Sequence, residues 1–184
     1  MKPIANWDLI NEAGEFKPLP AMVIGVRITK VVDVADKEYF EIYCDITKGE
    51  YKDYFKNMVA SGGKDTSKTI RSYKQSALPF FKAFITAVEK SNPGYKWDWD
   101  ETKLVGKGVI AVFGQEEYKD DEGNIKISTK IQEFRSLEAF NEGRIKIPEL
   151  KKLPPEPVVD NTGDVVGLGK NLDSIAVTDD DLPF

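Results

Sequence analysis

From Tyr39 to Ile46 the chain alternates without a break, Phe40, Ile42, Cys44 and Ile46 against Tyr39, Glu41, Tyr43 and Asp45. A period of two sends these sets to opposite faces of a strand, one toward a core and the other toward water. A sheet with one wet face is therefore built into the chain. The same period runs from Ala21 to Val32 through Met22, Ile24, Val26 and Ile28, with Asp33 to Lys37 as a polar hairpin connection. A short third strand is expected at about Glu50 to Met58, holding Tyr51, Tyr54 and Phe55.

From Ser61 to Gln75 the pattern breaks into Gly62-Gly63 and a cluster of Lys and Arg. A helix is expected from near Ser76, whose hydroxyl can cap it, with Pro79 in the first turn. Leu78, Phe81, Phe84, Ile85 and Val88 would form its buried face, and Asn92-Pro93-Gly94 stops it. The fourth strand runs from Leu104 to Phe113 and on to Tyr118; the loop Asp120 to Asn124 turns into a fifth, Ile125 to Phe134. Five antiparallel strands with one helix between the third and fourth match a mainly β chain folded as a five-stranded OB barrel. An open α+β sheet with the same element order competes with it.

One cysteine, Cys44, rules out an internal disulfide and suits a reducing cytoplasm; its alternation with apolar neighbours makes it an inert core thiol. The absence of histidine removes the commonest general base and transition-metal ligand. The sequence thus calls for no enzyme, cofactor or metal. No apolar run is long enough to span a membrane, and the N-terminal residues lack a signal-peptide pattern.

The net charge of −5 is unevenly placed. Residues 154–184 hold seven acids and Lys170, giving −6, which leaves +1 for residues 1–153. Leu153-Pro154-Pro155-Glu156-Pro157 is a Pro-rich hinge, and the stretch from there to the C-terminus has too few large apolar groups to offset the entropy of ordering. The expected division is a folded domain at 1–153 and a disordered linker with a terminal motif at 154–184.

That motif is Asp179-Asp180-Asp181-Leu182-Pro183-Phe184. It resembles the acidic tip of bacterial and phage single-stranded DNA-binding proteins, with Leu182 where bacterial tips more often carry isoleucine. Gly49-Glu50-Tyr51-Lys52-Asp53-Tyr54-Phe55 and Leu104-Val105-Gly106-Lys107 are similar to stretches in phage members. The resemblance implies an OB-fold core, single-stranded DNA as ligand, and docking of replication, recombination or repair proteins by the tip. Several oligomeric states occur among such proteins, so a homo-oligomer is open. Physically, a terminal carboxylate beside an aromatic ring suits an apolar pocket flanked by Arg or Lys, and the aspartates speed encounter with basic partners.

Sequence-tolerant binding of a single strand needs cations along a groove and aromatic faces for stacking. Lys64, Lys68, Arg71, Tyr73 and Lys74 concentrate both, although a solvated loop would read the same way. Tyr39 and Tyr43 share the wet face of the second strand; packing against Trp7 or Phe16 would account for them equally. Tyr51 and Tyr54 are further candidates, although Tyr51, Tyr54 and Phe55 cannot all point one way. Lys126 and Lys130 share a face of the fifth strand, and Lys107 could join them from the fourth. Trp97 and Trp99, flanked by Asp98, Asp100 and Glu101, suit a structural role better.

Three rivals compete with this reading. Asp98, Asp100, Glu117 and Lys119 could imitate a divalent-metal nuclease. A mediator would use the same core to promote annealing, and a protein-only adaptor would use the tip alone.

Overall fold

The structure, a computed structural model, describes residues 17–154 together with Lys2, Pro3 and Trp7. The acidic tip and nearly all of the linker therefore lie outside the described residues. The elements are β1 (Met22–Val34), β2 (Tyr39–Ile46), α1 (Tyr54–Ala60), β3 (Lys68–Ser72), α2 (Leu78–Ser91), β4 (Gly108–Lys119), β5 (Ile125–Arg135) and α3 (Leu137–Asn141). Among the described residues no helix is long and apolar enough to cross a membrane.

The strands form one antiparallel sheet in the order β3-β2-β1-β4-β5. Ile42 of β2 is fully buried, as are Val26 and Ile28 of β1. Register pairs Val26 with Ile46 and Ile28 with Cys44, so both strands turn their β-branched residues to one side. Thr29 is the extra residue of a bulge that shifts the register between Ile28 and Lys30. α2 covers the core with Phe81, Phe84, Ile85, Ala87 and Val88.

The expected third strand is not there. Residues 54–60 form α1, and the third strand is Lys68–Ser72, inside the segment read as a basic loop. The cause is Asp45, whose carboxylate accepts from the backbone N–H of Phe55 (3.2 Å) and Lys56 (3.0 Å). Two otherwise orphaned N–H groups at the helix start are thereby satisfied. Phe55 is buried, while Tyr54 and Met58 pack partly against the core, the helical spacing that the aromatic content obscures.

The sheet is not closed by a backbone ladder. β3 and β5, its two edges, are joined instead by side chains: Thr69 Oγ1 donates to the Ile131 carbonyl (3.3 Å) and Arg71 Nη2 to the Gln132 carbonyl (3.1 Å). The Arg71 guanidinium also lies 4.8 Å from the centre of the Phe134 ring.

Smaller departures follow from local chemistry. Ser76 does not cap α2; it lies in a 3-10 turn, Gln75–Ala77, and the helix begins at Leu78 without a side-chain cap. Leu78 itself is exposed. The stop is as expected, and Asn92 reinforces it: its amide donates to the Val88 and Gly108 carbonyls (both 2.7 Å) and accepts from Gly108 N–H (3.1 Å). β4 begins only at Gly108, because Leu104 closes a 3-10 turn, Glu101–Leu104, and is fully buried there.

Candidate nucleic-acid interface

The wet face of β1, β2 and β3 is a set of cross-strand rows. Register places Lys30, Tyr43 and Lys68 in one row, Val32, Glu41 and Ile70 in the next, and Val34, Tyr39 and Ser72 in the third. Arg27 sits opposite Asp45 beyond them. Tyr39 and Tyr43 are half-buried, and among the described residues neither ring packs on another ring. Four residues apart on one strand, they are about 13 Å from each other. Trp7 is 67% exposed. The two tyrosines thus share one surface of the sheet, while Phe16 lies outside the described residues.

Charge is concentrated at the Tyr43 end. The Lys30 ammonium lies 5.0 Å from the centre of the Tyr43 ring. Lys68 is paired with Glu41 at 2.9 Å, and the Tyr43 hydroxyl donates to the other Glu41 oxygen at 3.1 Å. The hydrogen bond from Lys68 holds the Glu41 carboxyl below its ordinary range, and the same contact raises Lys68. Burial, followed by the bond to Glu41, raises the Tyr43 phenol.

Beyond Tyr43 the face runs into a cleft of about 730 Å³ between the sheet and α1. Thr29, Cys44 and Ser67, each next in the chain to Lys30, Tyr43 or Lys68, line it. Arg27, Lys52 and Lys56 also line it, with Asp45, Asp53 and Asp65. Asp45 is turned to the backbone of Ile46, Phe55 and Lys56, and Asp65 to that of Ser67. Burial raises the Asp45 carboxyl even against its three backbone donors.

The other residues read from sequence are placed elsewhere. Arg71 pairs with Phe40 in register and so points inward, where burial brings its guanidinium down to about 10. Its Nη1 donates to the Ile70 carbonyl (2.7 Å) and to Thr69 Oγ1 (3.1 Å). Tyr73 lies edge-on to Phe40 and Phe81 and donates to Asp33 (2.7 Å). Burial, then that bond, pushes its phenol up to about 12. Tyr51 and Tyr54 contact each other edge-on and pack against the core beside Phe55. Lys64 is exposed in the α1–β3 connection, and Lys74 is half-buried just past β3.

Lys107 lies one residue before β4, 4.6 Å from the centre of the Tyr95 ring. Lys126 and Lys130 do share a face of β5, each beside an acid: Lys126 pairs with Asp120 at 2.7 Å and Lys130 with Glu116. Trp97 packs edge-on to Phe40, whereas Trp99 is 83% exposed in a left-handed conformation. Asp98 and Asp100 share Lys103, and Glu117 accepts from Leu153 N–H (3.1 Å). Cys44 is buried, and burial pushes its thiol up to about 12.

Sequence reading therefore named Tyr39 and Tyr43 on the common face and Lys68 as part of a loop, and did not name Lys30 and Glu41 as candidates on that face or Arg27, Lys52 and Lys56 at the cleft. The alternation of β1 already turned Arg27 outward; Lys30 joins the face only through the Thr29 bulge. In comparisons with known protein families and with curated proteins, the chain matches none.

Proposed function

We propose that the chain binds single-stranded DNA, with little dependence on sequence, across the outer face of β1, β2 and β3, during replication, recombination or repair. The observation that carries this reading is the pair Tyr39 and Tyr43 on one sheet face, with Lys30 and Lys68 in the Tyr43 row. Rings stack any base, and the ammonium groups meet the phosphates between them. The strand order, with α2 between β3 and β4 and the two edges bridged by side chains, supports an OB-type barrel, partly open between β3 and β5. The tip Asp179 to Phe184 recruits partner proteins in the same proposal, on the strength of its sequence alone. No catalytic step is assigned to the chain.

Fluorescence titration of the full chain with oligo-dT and with matching duplex, each at two salt concentrations, tests it. Tight binding to the single strand that weakens with salt, with quenched aromatic emission, is the expected result. Binding to neither form would leave the tip as the only functional element and turn the reading to a protein-only adaptor.

A further inference from the structure

The middle row of the face contains one group able to hydrogen-bond through its side chain, Glu41, between Val32 and Ile70. Along β2 it stands about 6.5 Å from Tyr39 and from Tyr43. A base lying between bases stacked on the two rings therefore rests on two aliphatic side chains, with the Glu41 carboxylate beneath it and the Lys68 ammonium 2.9 Å from one carboxylate oxygen. Each Glu41 oxygen already accepts one bond, from Lys68 or from Tyr43. An ionised carboxylate has about four acceptor sites and no donor, so about two remain. The contacts that hold the carboxyl below its ordinary range keep it ionised at neutral pH.

We propose that Glu41 is a base-reading residue that biases this face toward bases with amino donors, guanine above all, and against thymine. The inference rests on the single-strand reading above and adds a preference to it. Guanine presents N1–H and an amino N–H side by side on one edge, which match the two oxygens of a carboxylate. Cytosine and adenine present one amino group each, and carboxylates accept from the cytosine amine in duplex readout as well. The single N–H of thymine lies between two carbonyl oxygens, which face the carboxylate with like partial charge.

The test is fluorescence anisotropy of the full chain with three labelled 12-mers: all thymine, thymine with guanine at every third position, and the same strand with inosine for guanine. Inosine keeps N1–H and lacks the 2-amino group. Wild type should bind the guanine strand about tenfold more tightly than the thymine strand, with inosine between them. Glu41→Gln should bring all three within about twofold, because its amide offers a donor as well as an acceptor. Lys68→Met should weaken all three together and keep their order, since it removes a cation and leaves the carboxylate. Equal affinities in wild type, or an unchanged order in Glu41→Gln, would overturn the role of Glu41. Loss of the order in Lys68→Met alone would also overturn it, by transferring the preference to the lysine. Failure to bind any of the three strands would instead refute the single-strand reading.

Discussion

Replacing Arg71 by methionine separates two roles that a cation in a DNA-binding protein can have. Arg71 donates to the Ile70 and Gln132 carbonyls and covers the Phe134 ring, tying the free edge of β3 to β5. Hydrogen bonds from a charged donor contribute about 1.5–3 kcal/mol each, and a cation over a ring adds about 1 kcal/mol. Against this, removing a half-buried charge recovers part of its desolvation cost, which can amount to several kcal/mol per ion. The net expectation is a loss of about 3 kcal/mol. With a urea dependence of about 2 kcal/mol per molar, the unfolding midpoint should fall by about 1.5 M. Thermal unfolding should drop by about 10 °C. The salt dependence of single-strand binding, measured on the folded variant, should stay as in wild type. An unchanged midpoint with a salt slope reduced by about 0.7, the value for one phosphate contact on a single strand, would refute the reasoning and return Arg71 to the DNA.

Tyr39→Ala and Tyr43→Ala should each weaken single-strand affinity by ~1–3 kcal/mol at nearly unchanged stability. Tyr73→Ala should do the reverse, losing about 3 kcal/mol of stability with affinity held within twofold; titration and urea unfolding on the same samples check both. Neutralising Arg27, Lys52 and Lys56 together should reduce the salt slope for a long oligo-dT by about 2 and leave a tetranucleotide confined to the tyrosine face unaffected. The buried Cys44 thiol, raised from 9.0 to about 12, holds its proton in the folded chain while the unfolded chain loses it. Stability is therefore complete below pH 9 and declines from there toward pH 12, by at most about 4 kcal/mol from this group. Cys44→Ala should flatten that decline in urea unfolding measured between pH 8 and 11.

β1 and β2 were legible because their wet and dry faces carry different chemistry, and Tyr39 and Tyr43 followed from the same alternation. β3 was illegible for the opposite reason. Its inward positions are Thr69 and Arg71, which satisfy β5 carbonyls, while its apolar Ile70 faces outward with Glu41. A polar-in, apolar-out strand carries no hydrophobic period to read. α1 was hidden by Tyr51, Tyr54 and Phe55, whose composition favours a strand, until a carboxylate ten residues earlier supplied the cap. The pairing of Lys130 with Glu116 depends on hairpin register across fourteen residues, which single-residue patterns do not reveal.

The side-chain seam between β3 and β5 also determines where the molecule can breathe. β3 is laddered to β2 through five residue pairs and has no ladder on its other side. Parting the seam breaks two side-chain hydrogen bonds and the contact of Arg71 with the Phe134 ring and leaves the β2–β3 ladder intact, so this is the low-energy line of opening in the sheet. Lys68, Ile70 and Ser72 travel with β2 in such a motion, so the rows of the tyrosine face stay in register while the girth of the sheet changes. The β3 amides bonded to β2 would then stay protected from hydrogen exchange while the seam parts, so the scaffold yields without loss of the binding surface.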